Sequence, residues 1–230
     1  MNLPKISKRL LAAASLARVG VRIADVGTDH AYLPIYLFAS GRVSGGVVSD
    51  INRGPVERAR ANLCDYGCEG AFAALQTDGL SGIEKYAPED IFILGMGGEL
   101  IARIINDAPW VRREGVRLIL QPMTHPELLR EYLSREGFEI SRELLVSEDK
   151  IYHIICAEYS GEPTELDHFE ALFGKGNLSE PSEELYALLR RTRDIYSQRI
   201  AGKSLSGADS DYENEIIEKI DEFMKKETDK

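Results

Sequence analysis

Cysteine is scarce in this chain: three among 230 residues, at Cys64, Cys68 and Cys156. An odd count with one wide gap argues against a disulfide framework, and Cys64–Cys68 is not a C-x-x-C. The four histidines are scattered without ligand spacing, so no metal is expected. No apolar run approaches the roughly 18–20 residues that a membrane span needs. The basic, partly apolar start (Met1–Leu16) lacks a signal-peptide core and reads as a helix, so a cytoplasmic protein is expected.

What is present is the composition of a folded protein, 43% hydrophobic and 29% charged. The length suffices for one α/β domain and a small appendage. A net charge of −10 disfavours nucleic acid only if charge is evenly spread, and it is not. The first 22 residues carry Lys5, Lys8, Arg9, Arg18 and Arg22 without an acid. Arg190, Arg191, Arg193, Arg199 and Lys203 face only Asp194 in their stretch, and the acids concentrate after Asp209. Local basic patches remain available to a polyanion.

Short apolar runs alternate with helical segments. After a basic helix over Ile6–Ala17, strands are predicted at Val21–Gly27, Gly45–Ile51, Ala71–Gly79, Asp90–Gly98 and Gly115–Met123. Helices follow at Tyr32–Ala39, from about Gly54 to Tyr66 with Pro55 in the first turn, at Glu99–Asn106 and at Pro126–Glu136. This rhythm implies a parallel sheet covered on both faces. It breaks at Phe138–Ser160, which reads as two strands around the turn "SEDK" (Ser147–Lys150). Five βα units closed by a hairpin resemble the Rossmann-like seven-stranded sheet of S-adenosylmethionine-dependent methyltransferases. That likeness implies the order 3-2-1-4-5-7-6 with strand 7 antiparallel.

Beyond Gly161 the chain is turn-rich to about residue 182 and reads as a linker. Leu185, Leu188, Leu189, Ile195, Tyr196 and Ile200 then form one helical stripe; Tyr212, Ile216, Ile217, Ile220, Phe223 and Met224 form another. With a flexible turn over residues 201–210, they make a coiled-coil-like helical hairpin. The expected organisation is a catalytic domain over residues 1–160 and a linker and hairpin over 161–230.

In a parallel α/β sheet, ligands sit beyond the carboxyl ends of the strands, at the topological switch point. The first strand ends "ADVGTDH". Gly27 admits backbone close to a ligand. A dinucleotide loop carries three glycines, so that pyrophosphate meets a helix N-terminus. Here the second and third are missing, and Asp29 would repel pyrophosphate. A cofactor with a cationic amine and a sulfonium fits better, which favours S-adenosylmethionine over a nicotinamide; the bland alternative is that Asp25 and Asp29 only cap turns. Asp50, at the end of the second strand beside Ile51, suits ribose hydroxyls. Asp78 could accept from an adenine amine where Gly79 opens the backbone, although Asp-Gly is also a common turn. "GMGG" (Gly95–Gly98) ends the fourth strand, and Gln121, with one donor and one acceptor, ends the fifth.

The strings "ADVGTDHAYLP", "GMGGELI", "LILQPMTHPELLREYL" and "KISKRLLAAASL" are similar to those of the bacterial tRNA adenine-22 N1-methyltransferases, over about residues 1–160. The resemblance implies methyl transfer from S-adenosylmethionine to N1 of that adenine. Its cofactor positions fall on Asp25, Gly27, Thr28, Asp29, His30, Asp50, Ile51, Asp78, Gly79, Gly95, Met96 and Gly97. Methylation makes the base cationic, so an oxygen accepting from its exocyclic amine gains strength in the transition state. Asp29 and Gln121 are the candidates, with Tyr32 stacking on the base. Position 22 must leave a folded tRNA to react. Lys5, Lys8, Arg9, Arg190, Arg191, Arg193, Arg199 and Lys203 are the expected grip on RNA, in a chain acting as a monomer. The competing readings are a methyltransferase with another substrate and a non-catalytic nucleoside-binding module whose hairpin serves as an interaction arm.

Overall fold

A computed structural model describes the backbone at residues 3–206 and 209–228, and side chains at 3–203 and 209–226. Two compact units divide the chain, residues 1–165 and 166–230.

The first unit is built on seven strands: β1 (Arg22–Val26), β2 (Gly45–Asp50), β3 (Phe72–Gln76), β4 (Asp90–Met96), β5 (Arg117–Pro122), β6 (Phe138–Ser147) and β7 (Ile151–Tyr159). Their order is β3-β2-β1-β4-β5-β7-β6. The first five pair in parallel, and β7 runs antiparallel to both β5 and β6. This is the sheet that the resemblance implied.

Successive side chains of a strand point to opposite faces, and here each face has its own core. Ala24, Val26, Ile91, Ile93, Leu118 and Leu120 pack with Ile101, Ile105, Leu129 and Leu133 of α4 (Gly98–Asn106) and α5 (Pro126–Arg135). Ile23, Phe92 and Ile119 point the other way. They meet Ala13, Ile35, Leu37, Ala59 and Leu63 of α1 (Lys8–Ser15), α2 (Tyr32–Ala39) and α3 (Arg53–Asp65). Burial on both faces explains why the central strands read as unbroken apolar runs.

Helix α1 is shorter than the predicted span because the Ser7 side chain caps its start, accepting from Leu10 N. Past its end, Arg18 donates through its backbone N–H and Nε, each at 2.7 Å, to the fully buried carboxylate of Asp90. Another buried polar group joins α5 to the closing hairpin. Arg130 donates to Glu143 at 2.6 Å, and its Nη2 lies 2.9 Å from His153 Nδ1. Burial and the neighbouring guanidinium hold His153 well below its usual pKa, so the neutral ring accepts from Arg130.

In the second unit, the stretch read as a linker holds two short helices, α6 (His168–Phe173) and α7 (Lys175–Ser179). Asp167 and Glu170 form a reciprocal cap at the start of α6. Phe169, Ala171 and Phe173 are buried, which a solvated linker would not allow. Helix α8 (Glu183–Ser206) and α9 (Asp211–Thr228) form the hairpin. Leu185, Leu189, Tyr196, Ile216 and Ile220 are buried as their stripes require, whereas Ile195 is exposed. Helix α8 also continues into the segment expected to turn. Residues 207 and 208 of that segment lie outside the described residues.

Candidate functional site

At the carboxyl ends of β1 to β4 lies a cavity of about 140 Å³. Gly27, Asp50, Ile51, Asp78, Gly79 and Met96 line it, together with Val26, Thr77, Leu100, Arg103 and Ile104. Six of the expected cofactor positions therefore meet in one place, at the switch point of the sheet. Leu100, Arg103 and Ile104 were not anticipated. They lie along α4, which begins directly after the Gly97 cap, so one side of that helix borders the ligand space.

Gly27 adopts a positive φ of 77°, and a Cβ there would collide with the Met96 methyl group. Gly79 is likewise left-handed, and its Cβ would stand 3.3 Å from Ile104. Both turns keep the backbone open to an incoming group. The loop after β1 is pinned from beneath. Gly27 and Thr28 both donate their N–H to Ser49 O at 2.8–2.9 Å, and Thr28 Oγ1 accepts from Ala31 N at 3.0 Å. Thr28 is buried, supports the loop and does not line the cavity. Asp25 is buried as well; burial pushes its pKa up to about 6 against the lowering effect of a hydrogen bond with Thr28.

The acids fit a nucleoside bearing a cationic tail. Asp50 is half-buried and accepts from Asn52 N at 2.7 Å, and Asp78 is exposed beside Gly79. Two carboxylates and two open backbone turns suit hydroxyls, an amine and a purine; they do not suit a pyrophosphate. Among the described residues no group of three or more His, Cys, Asp or Glu could hold a metal ion.

Asp29 and His30 do not line this cavity; they form its neighbour. Arg58 of α3 donates to Asp29 Oδ1 through Nε at 3.1 Å and through Nη2. His30 Nε2 lies 3.2 Å from Asp29 Oδ2. Arg58, chiefly by hydrogen bonding, holds the Asp29 carboxyl below the ordinary range. The Tyr32 ring stacks on His30, with centroids 5.2 Å apart and planes 9° apart. The result is a partly exposed aromatic shelf beside an ionised carboxylate.

Gln121 departs from its expected role. Its side chain is buried, and its oxygen accepts from Arg9 Nη1 at 2.7 Å and from Gly95 N at 3.1 Å. Its amide nitrogen donates to Pro122 O at 3.0 Å and contacts Met123 Sδ. An amide so occupied holds neighbouring groups in place; it does not offer a free edge to a base. Gly95 is thus tied to β5, while Gly97 packs against Thr124, whose Oγ1 a Cβ would approach to 3.1 Å. Neither belongs to the cavity lining.

The expected RNA-contacting cations divide. Lys5 and Lys8 are exposed, and Arg9 turns inward to Gln121. In the hairpin, Arg190, Arg191 and Arg199 are exposed. Arg193 pairs with Asp221 at 2.7 Å and Lys203 with Glu213 at 2.8 Å. Those two bridge α8 to α9 within the hairpin.

Residues 6–155 match the family described as a methyltransferase domain. The chain is 31% identical to the tRNA (adenine(22)-N(1))-methyltransferase of Bacillus subtilis, over 97% of this chain and 96% of that protein. It is similar in structure to a Streptococcus pneumoniae protein described as a candidate tRNA (m1A22) methyltransferase and solved with S-adenosyl-L-methionine. That likeness has a TM-score of 0.84 at 30% identity, covering 95% of this chain and 99% of that one. The B. subtilis m1A22 tRNA methyltransferase superposes with a TM-score of 0.77 at 30% identity, covering 97% of each chain.

Proposed function

The chain belongs to the family of bacterial tRNA (adenine-22 N1)-methyltransferases, and we propose that its site moves a methyl group from S-adenosylmethionine to N1 of adenine 22 in tRNA. The observation that carries this reading is the cavity lined together by Gly27, Asp50, Asp78, Gly79 and Met96. S-adenosylmethionine supplies an electrophilic methyl on a sulfonium. Asp50 binds the ribose hydroxyls, Asp78 accepts from the cofactor's adenine amine, and Gly27 brings main chain against its tail.

N1 of neutral adenine presents an in-plane lone pair, so the chain need remove no proton before attack. Its task is to hold that nitrogen in line and keep water out. Asp29, kept ionised by Arg58, accepts from the exocyclic amine as the base becomes cationic, an interaction strongest in the transition state. Tyr32, backed by His30, gives the everted base a surface to stack on. Gln121 acts indirectly, positioning Arg9 and the end of β4. Exposed Arg190, Arg191 and Arg199 contact phosphates of the tRNA. The chain acts as a monomer in the cytoplasm; light scattering of the purified protein checks the first part.

The deciding experiment incubates the protein with unmodified tRNA and labelled S-adenosylmethionine, then maps the label by nucleoside analysis. Label on N1 of adenine 22, and none on a tRNA carrying guanine there, is expected; label elsewhere or none overturns the reading. Asp29→Ala should lower single-turnover rate about 10²-fold with tRNA affinity unchanged, and a normal rate removes Asp29 from the mechanism. Cofactor affinity should fall below pH about 6, where Asp25 takes up a proton. The fall should approach tenfold per pH unit, and Asp25→Asn should abolish it in calorimetry.

A further inference from the structure

Two cations from opposite ends of the first unit meet on one ring. The Arg9 guanidinium lies 5.5 Å from the centroid of Tyr152, and Lys150 Nζ lies 5.1 Å from it. Tyr152 is buried, and its hydroxyl donates to Asp149 Oδ1 at 2.8 Å, which fixes the plane of the ring. Arg9 also donates to Gln121, and Lys150 Nζ to Met123 O at 3.3 Å. Gln121 in turn holds Gly95, and Met123 N donates to Met96 O at 2.7 Å. The pair is therefore anchored to the same strand ends that carry Met96, a lining residue of the cofactor cavity.

Neither cation makes an ion pair among the described residues. The two acids of the adjoining turn are engaged elsewhere, Asp149 by the Tyr152 hydroxyl and Glu148 by the backbone N–H of Lys8. Two cations held on one ring repel each other unless an anion lies between them. A nucleotide brings that anion with it. Arginine forks onto phosphate, lysine adds a point charge, and an aromatic ring holds both in place.

We propose that Arg9 and Lys150, set on Tyr152, clamp the backbone phosphate adjoining the adenosine that enters the site. The assignment rests on the methyltransferase reading. It separates Arg9 from its exposed neighbours Lys5 and Lys8: the clamp seats one nucleotide, while the others hold the body of the RNA.

The test uses the full chain with unmodified tRNA and the variants Arg9→Ala, Lys150→Ala and Arg9→Lys. Each alanine variant should raise KM for tRNA about tenfold while kcat at saturating tRNA stays within about threefold, since a phosphate contact persists from ground to transition state. Each should flatten the slope of log affinity against log salt by about 0.7–0.9. Arg9→Lys should recover most of the KM loss, because it keeps the charge. Calorimetric affinity for S-adenosylmethionine should match the wild type, as neither residue lines the cofactor cavity. An unchanged KM and salt slope in Lys150→Ala overturns the clamp, as does an Arg9→Ala defect confined to kcat. A wild type that methylates no tRNA overturns the parent reading and the clamp with it.

Discussion

The two basic segments of this chain use the same residue types to different ends. In the first unit, Lys5 and Lys8 are exposed, but other cations reach into the fold. Arg18 reaches the buried Asp90, Arg22 donates to Tyr86 O, Arg130 is enclosed with Glu143 and His153, and Arg9 turns to Gln121. In the second unit, the cations stay near water. Arg193 and Lys203 tie α8 to α9 at the surface, and Arg190, Arg191 and Arg199 are exposed. Arg130 is itself buried, whereas Arg9, Arg18 and Arg22 are half-buried and anchored by hydrogen bonds to inner groups. A charge inside protein is tolerated only when paired and hydrogen-bonded, so each buried cation fixes the elements it joins. An exposed one remains available to another molecule at little cost to the fold.

The contrast can be broken most forcefully at Asp90. Asp90→Ala strands Arg18 and should destabilise the protein by about 3–5 kcal/mol; denaturant unfolding that shows less than about 1 kcal/mol would remove the distinction between the two segments. A pH series tests Arg130 and its partners. The depressed folded-state pKa of His153 means that its contribution is intact above about pH 6.5. That contribution drains as the pH falls and the unfolded chain binds a proton, by up to about 1.4 kcal/mol per unit. Asp25 has the opposite sign. Its folded pKa is raised to about 6, so its ionisation costs stability above that pH, and the cost is relieved below. Asp25→Asn should therefore show a steeper acid loss than the wild type, which melting temperatures between pH 7 and 5 would register.

At the exposed end, Arg190→Glu with Arg191→Glu should weaken tRNA binding and flatten its salt dependence. The melting temperature should not move. Smallest of all is Arg193→Ala, whose surface pair with Asp221 should leave tRNA affinity unchanged and the melting temperature nearly so. A large loss of tRNA binding in that variant would return Arg193 to the RNA-contacting set.

Several site residues could be recognised one at a time. Gly27, Asp50, Asp78 and Gly79 each end a strand, and strand ends are local features of the chain. Parallel pairing of β1, β2 and β3 then brings them to one edge. Arg58 gave no such signal, since it pairs with Asp29 across 29 positions from the middle of α3. Nor did Arg9, whose partner Gln121 is 112 positions away. Basic residues on an amphipathic helix read as a solvated face, and only the docking of α1 against β6 and β7 turns one of them inward. Lys150 was visible merely as the last residue of a turn.

The sequence by itself determined the alternation of strands and helices, the closing hairpin and the acids at three strand tips. All follow from short-range periodicity, glycine placement and chain direction. Tertiary structure alone decided which charges became internal, that Gln121 would be fully hydrogen-bonded, and that residues 9, 150 and 152 would share one corner. Those outcomes depend on desolvation and on contacts between distant segments, and neither exists until the sheet and its helices have packed.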